Sequence, residues 1–269
     1  MTQPPSRSHP QARELAARAW ASNHELIDRQ LSPLGLRAIE AIGPRPSEVI
    51  VDVGCGAGQT LVQLANLVGT GGRVVGVDIA PSLLDVCSGR CAGLGQVQLI
   101  EGDASVLGLP DASVDGILSR FGVMGFEDPV AAFSNFHRML KPSGRLGFVC
   151  WRSLKENELD MLPLRAAGLE DLIDRTPFSF EAADHIRSTL EAAGFSKIRI
   201  RPHDELVSSG DLEAMATVLL SVGPLGRMLR ENPTLRPDAE ACVRTALAEQ
   251  SDLSHVELNA AIWIVSARA

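Results

Sequence analysis

With 269 residues, 45 % of them apolar, the chain is long enough for one large domain or one domain carrying a substantial cap. A formal charge of −8 and a pI near 5.3 argue against a nucleic-acid partner, whose binders cluster Lys and Arg. An acidic chain is compatible with a cationic ligand, although global charge places nothing in a site. Five cysteines (Cys55, Cys87, Cys91, Cys150, Cys242) form no even framework, and a reducing cytoplasm is the expected home. Cys87 and Cys91 are four apart, but no His or third Cys accompanies them, so no metal site is expected. Met1 to Gln11 lacks the apolar core of a signal peptide, and no apolar run approaches the ~20 residues of a membrane span.

In chain order, residues 1–10 read as a disordered arm and residues 11–46 as an N-terminal helical lid. Ala12, Leu15, Ala16, Ala19, Trp20, Asn23, His24, Ile27 and Leu31 follow helical spacing. The polar pair Asn23 and His24 allows two readings: a rim on an edge helix, or a lid with Trp20 and His24 turned into a site. Ser32-Pro33-Leu34-Gly35 is expected to interrupt this helix before a second segment that ends at Ala41. A β-branched run from Glu48 then ends at Asp52. Gly54, Gly56 and Gly58 follow at alternate positions, and helical spacing resumes with Leu61, Leu64, Ala65 and Val68. Glycines there permit positive φ and remove the Cβ atoms that would keep a ligand off the backbone, so the turn reads as a ligand cradle. The dinucleotide fingerprint requires Gly-x-Gly-x-x-Gly, and Gln59 occupies the place of its third glycine.

The spacing actually present, Asp-x-Gly-x-Gly-x-Gly from Asp52 to Gly58, resembles the first motif of the class I S-adenosylmethionine-dependent methyltransferases. The resemblance continues over residues 48–151. Arg73 to Val77 reads as a strand ending at Asp78, where a carboxylate can accept from both hydroxyls of a ribose; Ile79 offers an apolar face to adenine. Glu101-Gly102-Asp103-Ala104 follows a third strand, and the resemblance implies that Asp103 lies near the adenine amino group. Leu109 to Arg120 and Phe136 to Leu146 are similar to the family's fourth-strand region and to the segment before its fifth strand. Ser119-Arg120-Phe121-Gly122-Val123-Met124 and Phe148-Val149-Cys150-Trp151-Arg152 resemble the UbiE-like small-molecule branch. His137 reads as a surface residue.

Strand–turn–helix units with nearly all-apolar strands predict an α/β fold: a doubly wound, Rossmann-like, seven-stranded sheet. The resemblance implies an antiparallel last strand inserted beside the fifth. Residues 47–152 are then the donor-binding core, and 153–269 hold a cap insertion, the remaining strands and edge helices, with helical insertions after strands 5 and 6. Leu159, Leu162, Leu169, Leu172 and Ile173 suggest a helical stripe broken by Pro163. The sixth strand is expected at Ser196 to Ile200 and the last at Val256 to Ala267.

The resemblance implies methyl transfer from S-adenosylmethionine to a small-molecule acceptor, by a monomer or homodimer. Trp20, Asp52, Gly54, Cys55, Gly56, Gly58, Asp78, Ile79, Gly102, Asp103, Ala104, Ser119 and Arg120 are the expected donor contacts. Phe121, Met124, Trp151 and Arg152 are the expected acceptor contacts, and His24 is the candidate base because its ordinary pKa lies near neutrality. Arg120 and Arg152 could hold an anionic acceptor or pair with a nearby acid such as Glu127. One alternative keeps the donor site but uses the sulfonium charge in a cyclase or decarboxylase. A nicotinamide-dependent oxidoreductase is disfavoured by Gln59 and by the absence of any tyrosine.

Overall fold

The computed structural model describes residues 10–172, 175–249 and 252–269. The expected arm, apart from Pro10, lies outside the described residues, as does Ile173 of the expected stripe. Seven strands, β1 (Val49–Val53), β2 (Arg73–Asp78), β3 (Val97–Glu101), β4 (Val114–Arg120), β5 (Leu140–Trp151), β6 (Ser196–Gly210) and β7 (Val256–Arg268), form one sheet in the order β3-β2-β1-β4-β5-β7-β6. β1 to β5 pair in parallel, and β7 runs antiparallel between β5 and β6, with Val149 opposite Ile264 and His203 opposite Ile262. This is the Rossmann-like sheet expected from the sequence.

Alternation along the strands sends side chains to two cores. Ile50, Val74, Leu118 and Val149 enter one, beneath α2 (His24–Ile42) and α3 (Gln59–Val68). Val51, Val75, Ile117 and Phe148 enter the other, beneath α5 (Pro129–Met139) and α7 (Ala183–Ala192). Helix α4 (Pro81–Arg90) follows β2. The first core extends into a helical cap of α6 (Glu158–Ala166), α8 (Leu212–Ser221), α9 (Gly223–Glu231) and α10 (Arg236–Ala248).

The N-terminal helices correct one expectation. The break falls at Asn23, after α1 (Pro10–Ser22), and α2 runs unbroken through Pro33. Asn23 Nδ2 donates to the Ala19 carbonyl at 2.8 Å, and His24 Nδ1 lies 2.9 Å from the Ala21 carbonyl, so the polar pair ends α1. An interior proline costs about 3 kcal/mol, but Leu31, Leu34, Ala38 and Ile42 are at most 3 % exposed. Burying the three larger side chains contributes about 1.5–3 kcal/mol each, which outweighs the break. Gly147 on β5 lets α2 approach: a Cβ there would sit 2.3 Å from Ile42 Cγ2. The segment expected as a lid therefore divides, its later half forming a layer on the sheet.

Pro163 likewise lies inside α6, where a break was expected, and Leu172 is exposed. β6 is fifteen residues long, well beyond the five expected, because its polar outer half pairs with β7 as far as Gly210 opposite Val256. Among the described residues no single helix is long and apolar enough to cross a membrane; α8 and α9 match that composition only as a pair bent by 58°.

Candidate functional site

A cavity of about 1050 Å³ opens at the carboxyl ends of β1, β2 and β4, the edge at which open α/β sheets bind ligands. Its first wall is the turn from β1 into α3. Gly54 has φ +70 and a Cβ there would lie 2.8 Å from Gly122 Cα, so the two loops touch through bare backbone. Gly56 has φ +55 with open space where its side chain would stand. Asp78, at the end of β2, accepts from the Gly56 N–H at 2.9 Å and the Ala80 N–H at 3.0 Å, one on each oxygen. Burial pushes its pKa up, and these backbone donors oppose the rise. Ile79 is 48 % exposed beside it. Cys55, Gly102, Asp103 and Ala104 continue this wall; Asp103 also accepts from the Ser105 N–H at 2.8 Å.

Behind the turn lies a charged network that the sequence did not reveal. Arg120 donates to Gln59 Oε1 and stands 4.0 Å from Asp28, while Gln59 Nε2 donates to the Asp28 carbonyl at 3.2 Å. Asp28 also pairs with Arg90 at 2.7 Å, and Arg90 donates to the Ala57 carbonyl at 3.1 Å. Gln59, read as the missing glycine of a dinucleotide loop, thus ties α2 to β4. The partner of Arg120 is Asp28 and not Glu127. Burial lowers the Arg120 pKa, and the nearby Asp28 and Asp52 oppose that. Asp52 is fully buried; one oxygen accepts from Thr60 Oγ1 at 2.6 Å and the other has no partner among the described residues. Burial raises it to about 6, against the Thr60 hydrogen bond and the charge of Arg120.

A second wall is mostly apolar. Phe121 stacks on Trp151 with ring centroids 4.0 Å apart and planes 15° from parallel, and Met124 lies in the same wall. Leu159, Val218, Leu219 and Val222 line it from the cap, and α1 and the start of α2 contribute Trp20, His24 and Ile27. Asp160, Arg227 and Arg230 are polar groups on this wall that sequence reasoning missed.

Four expected contacts do not line the cavity. Asp52 and Gly58 lie behind the turn; Gly58 has φ +87, and a Cβ there would meet Cys87 Sγ at 2.5 Å. Ser119 is fully buried, donating to the Val53 carbonyl at 2.8 Å and accepting from the Gly122 N–H at 3.0 Å. Arg152 leaves β5 on the side away from Trp151, pairs with Glu156 and, at 3.0 Å, Asp204, and lies over the Trp263 ring.

A family model described as a methyltransferase domain matches residues 51–148. The chain is 31 % identical over 204 residues to nocamycin O-methyltransferase of Saccharothrix syringae, covering 68 % of this chain and 71 % of that one. The chain belongs to the S-adenosylmethionine-dependent methyltransferases. Demethylmenaquinone methyltransferase of Staphylococcus aureus (strain JH9) is 28 % identical over 186 residues, 61 % of this chain and 75 % of the relative. The fold is shared with the YcgJ protein of Bacillus subtilis, at a TM-score of 0.58 and 18 % identity over 91 % of this chain and 97 % of that one.

The methyltransferase's donor is S-adenosylmethionine, and the first wall fits it. Gly56 leaves space against open backbone, Asp78 keeps lone pairs beyond its two backbone bonds, and Ile79 presents an exposed apolar face.

Proposed function

We propose that this methyltransferase transfers its methyl group to the oxygen of a small molecule that carries a hydroxyl on an apolar ring. The observation that carries the reading is the Phe121–Trp151 stack, set in the same cavity as the glycine turn and continued by apolar side chains of the cap. A flat ring packs against such a surface, and the O-methyltransferase relative supports oxygen as the accepting atom.

In this reading Asp78 holds the ribose hydroxyls, the backbone of Gly54, Cys55 and Gly56 faces the amino-acid end of the donor, and Ile79 with Asp103 and Ala104 borders the adenine. S-adenosylmethionine supplies a methyl already activated on a sulfonium. The chain's task is to align the acceptor oxygen with it and to exclude water, which together supply several kcal/mol of the barrier reduction. Trp20 and His24, at the α1–α2 junction, cover the cavity, so the lid role belongs to α1 and the first turns of α2. The five cysteines stand as thiols, in keeping with a cytoplasmic enzyme.

The test incubates the protein with S-adenosylmethionine and a set of ring hydroxyls and amines headed by 2-naphthol, followed by mass spectrometry of the products. The reading expects acceptor heavier by one CH2 and one S-adenosylhomocysteine per turnover. No mass gain with any hydroxyl sinks it, and a rearranged or decarboxylated product of unmethylated composition points to the electrostatic alternative.

A further inference from the structure

We infer that Asp160 is the group that takes the proton from the acceptor hydroxyl. This rests on the reading above that the acceptor presents a hydroxyl. Asp160 lies on α6, is only 9 % exposed, and lines the cavity. Among the described residues no donor reaches its carboxylate. Burial alone pushes its pKa up to about 7.

Its neighbour Asn157, fully buried at the start of the same helix, is by contrast a structural polar group with its bonds satisfied. Asn157 Nδ2 donates to the Ser153 carbonyl at 3.1 Å, and its Oδ1 accepts from the Ala261 N–H at 2.7 Å. Asp160 has no such duty. Gly223, at the start of α9 with φ +67, faces it, and a Cβ there would stand 3.2 Å from Asp160 Oδ1. The backbone opposite therefore leaves room for the acid without supplying a partner.

The charged groups on the packed elements are engaged elsewhere. Arg230 donates to the Ser221 carbonyl and Arg227 to Glu231 within α9. On α10, Arg236 pairs with Glu240, and Arg244 with Glu213. Glu156 holds Arg152, and Glu158 accepts from the Asn259 N–H. α8 presents Val218 and Leu219 to the cavity.

A buried carboxylate without a counter-charge is costly, and such groups concentrate where a ligand completes them. A base with a pKa near neutrality is matched to work at physiological pH. His24, the other titratable side chain considered for this role, has Nδ1 held at the Ala21 carbonyl and lines the cavity with Nε2 as its remaining nitrogen, so the two candidates are separated by substitution. In the step itself the acceptor O–H bond breaks and its proton goes to an Asp160 oxygen. The oxygen lone pair forms the new O–CH3 bond, the S–CH3 bond breaks with its electrons left on sulfur, and Asp160 later returns its proton to water.

The experiment compares wild type with Asp160→Asn, Asp160→Glu and His24→Ala, using S-adenosylmethionine and 2-naphthol across pH 5 to 10. Calorimetry with S-adenosylhomocysteine reports whether each variant folds and binds. Wild type is expected to show an acidic limb near pH 7 in kcat. Asp160→Asn is expected to lose about 10²–10⁴-fold at neutral pH, to regain rate only as the naphthol itself ionises, and to bind S-adenosylhomocysteine within twofold of wild type. Asp160→Glu recovers part of the rate. An activity-independent readout is the ligand-free melting temperature, whose pH dependence between about 4 and 7 should change in Asp160→Asn. If Asp160→Asn keeps the wild-type rate and limb, or if His24→Ala abolishes the limb instead, the inference is overturned while the acceptor reading stands. Faster turnover of 2-naphthylamine than of 2-naphthol overturns it as well. No methylation of any hydroxyl removes the acceptor reading, and this inference falls with it.

Discussion

The two walls of the cavity are built on different physics. On the donor side polar groups are tied to backbone or to an opposite charge, Asp78 to two N–H groups, Arg120 to Gln59 and Asp28, Arg90 to Asp28 and Ala57, while Asp52 behind the turn keeps one oxygen unpartnered among the described residues. On the cap side the wall is carried by apolar packing and an aromatic stack, and its one buried acid stands unpaired among the described residues. The first arrangement suits a polar ligand held by directional bonds. The second grips a ring loosely and holds one group whose ionisation is easily changed. The proposed donor and acceptor roles therefore fall on separate walls, and substitutions on either wall should move one without the other.

The largest effect is expected at Asp160, in stability. An acid whose folded pKa is raised binds more protons folded than unfolded between the two pKa values, so stability falls as pH rises through that window. With the ordinary value at 3.8 and the folded value about 7, the penalty is absent below about pH 4 and complete above about pH 7. Asp160→Asn removes the penalty. Its stability relative to wild type should grow from near zero at pH 4 to at most about 4 kcal/mol above pH 7, at about 1.4 kcal/mol per pKa unit. Denaturant titrations at pH 4, 6 and 8 measure this. A constant difference across pH would mean the acid is paired, and the contrast between the walls would collapse.

Next comes Asp78→Ala, which strips the Gly56 and Ala80 N–H groups of their acceptor and removes the proposed ribose contact. The expected loss is about 2–3 kcal/mol, on the order of a hundredfold in the Kd for S-adenosylhomocysteine by calorimetry. Binding of 2-naphthol, followed by its fluorescence, should be unchanged. Equal losses for both ligands would show that the walls are coupled.

The glycine-turn wall of the cavity was legible in the sequence because local backbone dictates it. A strand that must turn sharply toward a ligand needs glycines at 54 and 56, and Asp78 stands at a strand end whose position follows from chain order. The charged network was not legible, since Asp28, Gln59, Arg90 and Arg120 meet only through the placement of α2 on the sheet. The N-terminal break was placed at Pro33 because proline signals an interruption locally, whereas the burial of Leu34, Ala38 and Ile42 decided it from a distance. Asp160 was hidden in an insertion whose short helix carries a proline. At two positions alternation along a strand was an available signal: Ser119 turns into the core while Arg120 lines the cavity, and Arg152 turns away while Trp151 lines it.

On the wall proposed for the acceptor, Trp151→Leu removes the ring that stacks on Phe121 while keeping apolar bulk. Aromatic pairs contribute about 0.5–1.5 kcal/mol beyond area, so the KM for 2-naphthol should rise roughly three- to tenfold with S-adenosylhomocysteine affinity unchanged. An unchanged KM would move the acceptor ring away from this stack.

The smallest effect is expected at Arg152, one residue further along and on the other side. Its guanidinium pairs with Glu156 and Asp204, whose side chains are 44 % and 58 % exposed, and lies 5.5 Å from the centroid of the Trp263 ring. Pairs with exposed acids contribute about 0–1 kcal/mol, and a cation on an aromatic face about 0.5–2 kcal/mol, the upper end applying to a side chain only 15 % exposed as that of Arg152 is. Arg152→Ala should therefore lower the melting temperature by a few degrees and leave the KM for 2-naphthol within twofold. The comparison with Trp151 makes this informative, because adjacent residues of one strand are predicted to report on different properties. A tenfold rise in KM would place Arg152 at the acceptor after all and require β5 to turn its last residues toward the cavity. A melting shift without a kinetic change fixes the boundary of the acceptor wall at Trp151.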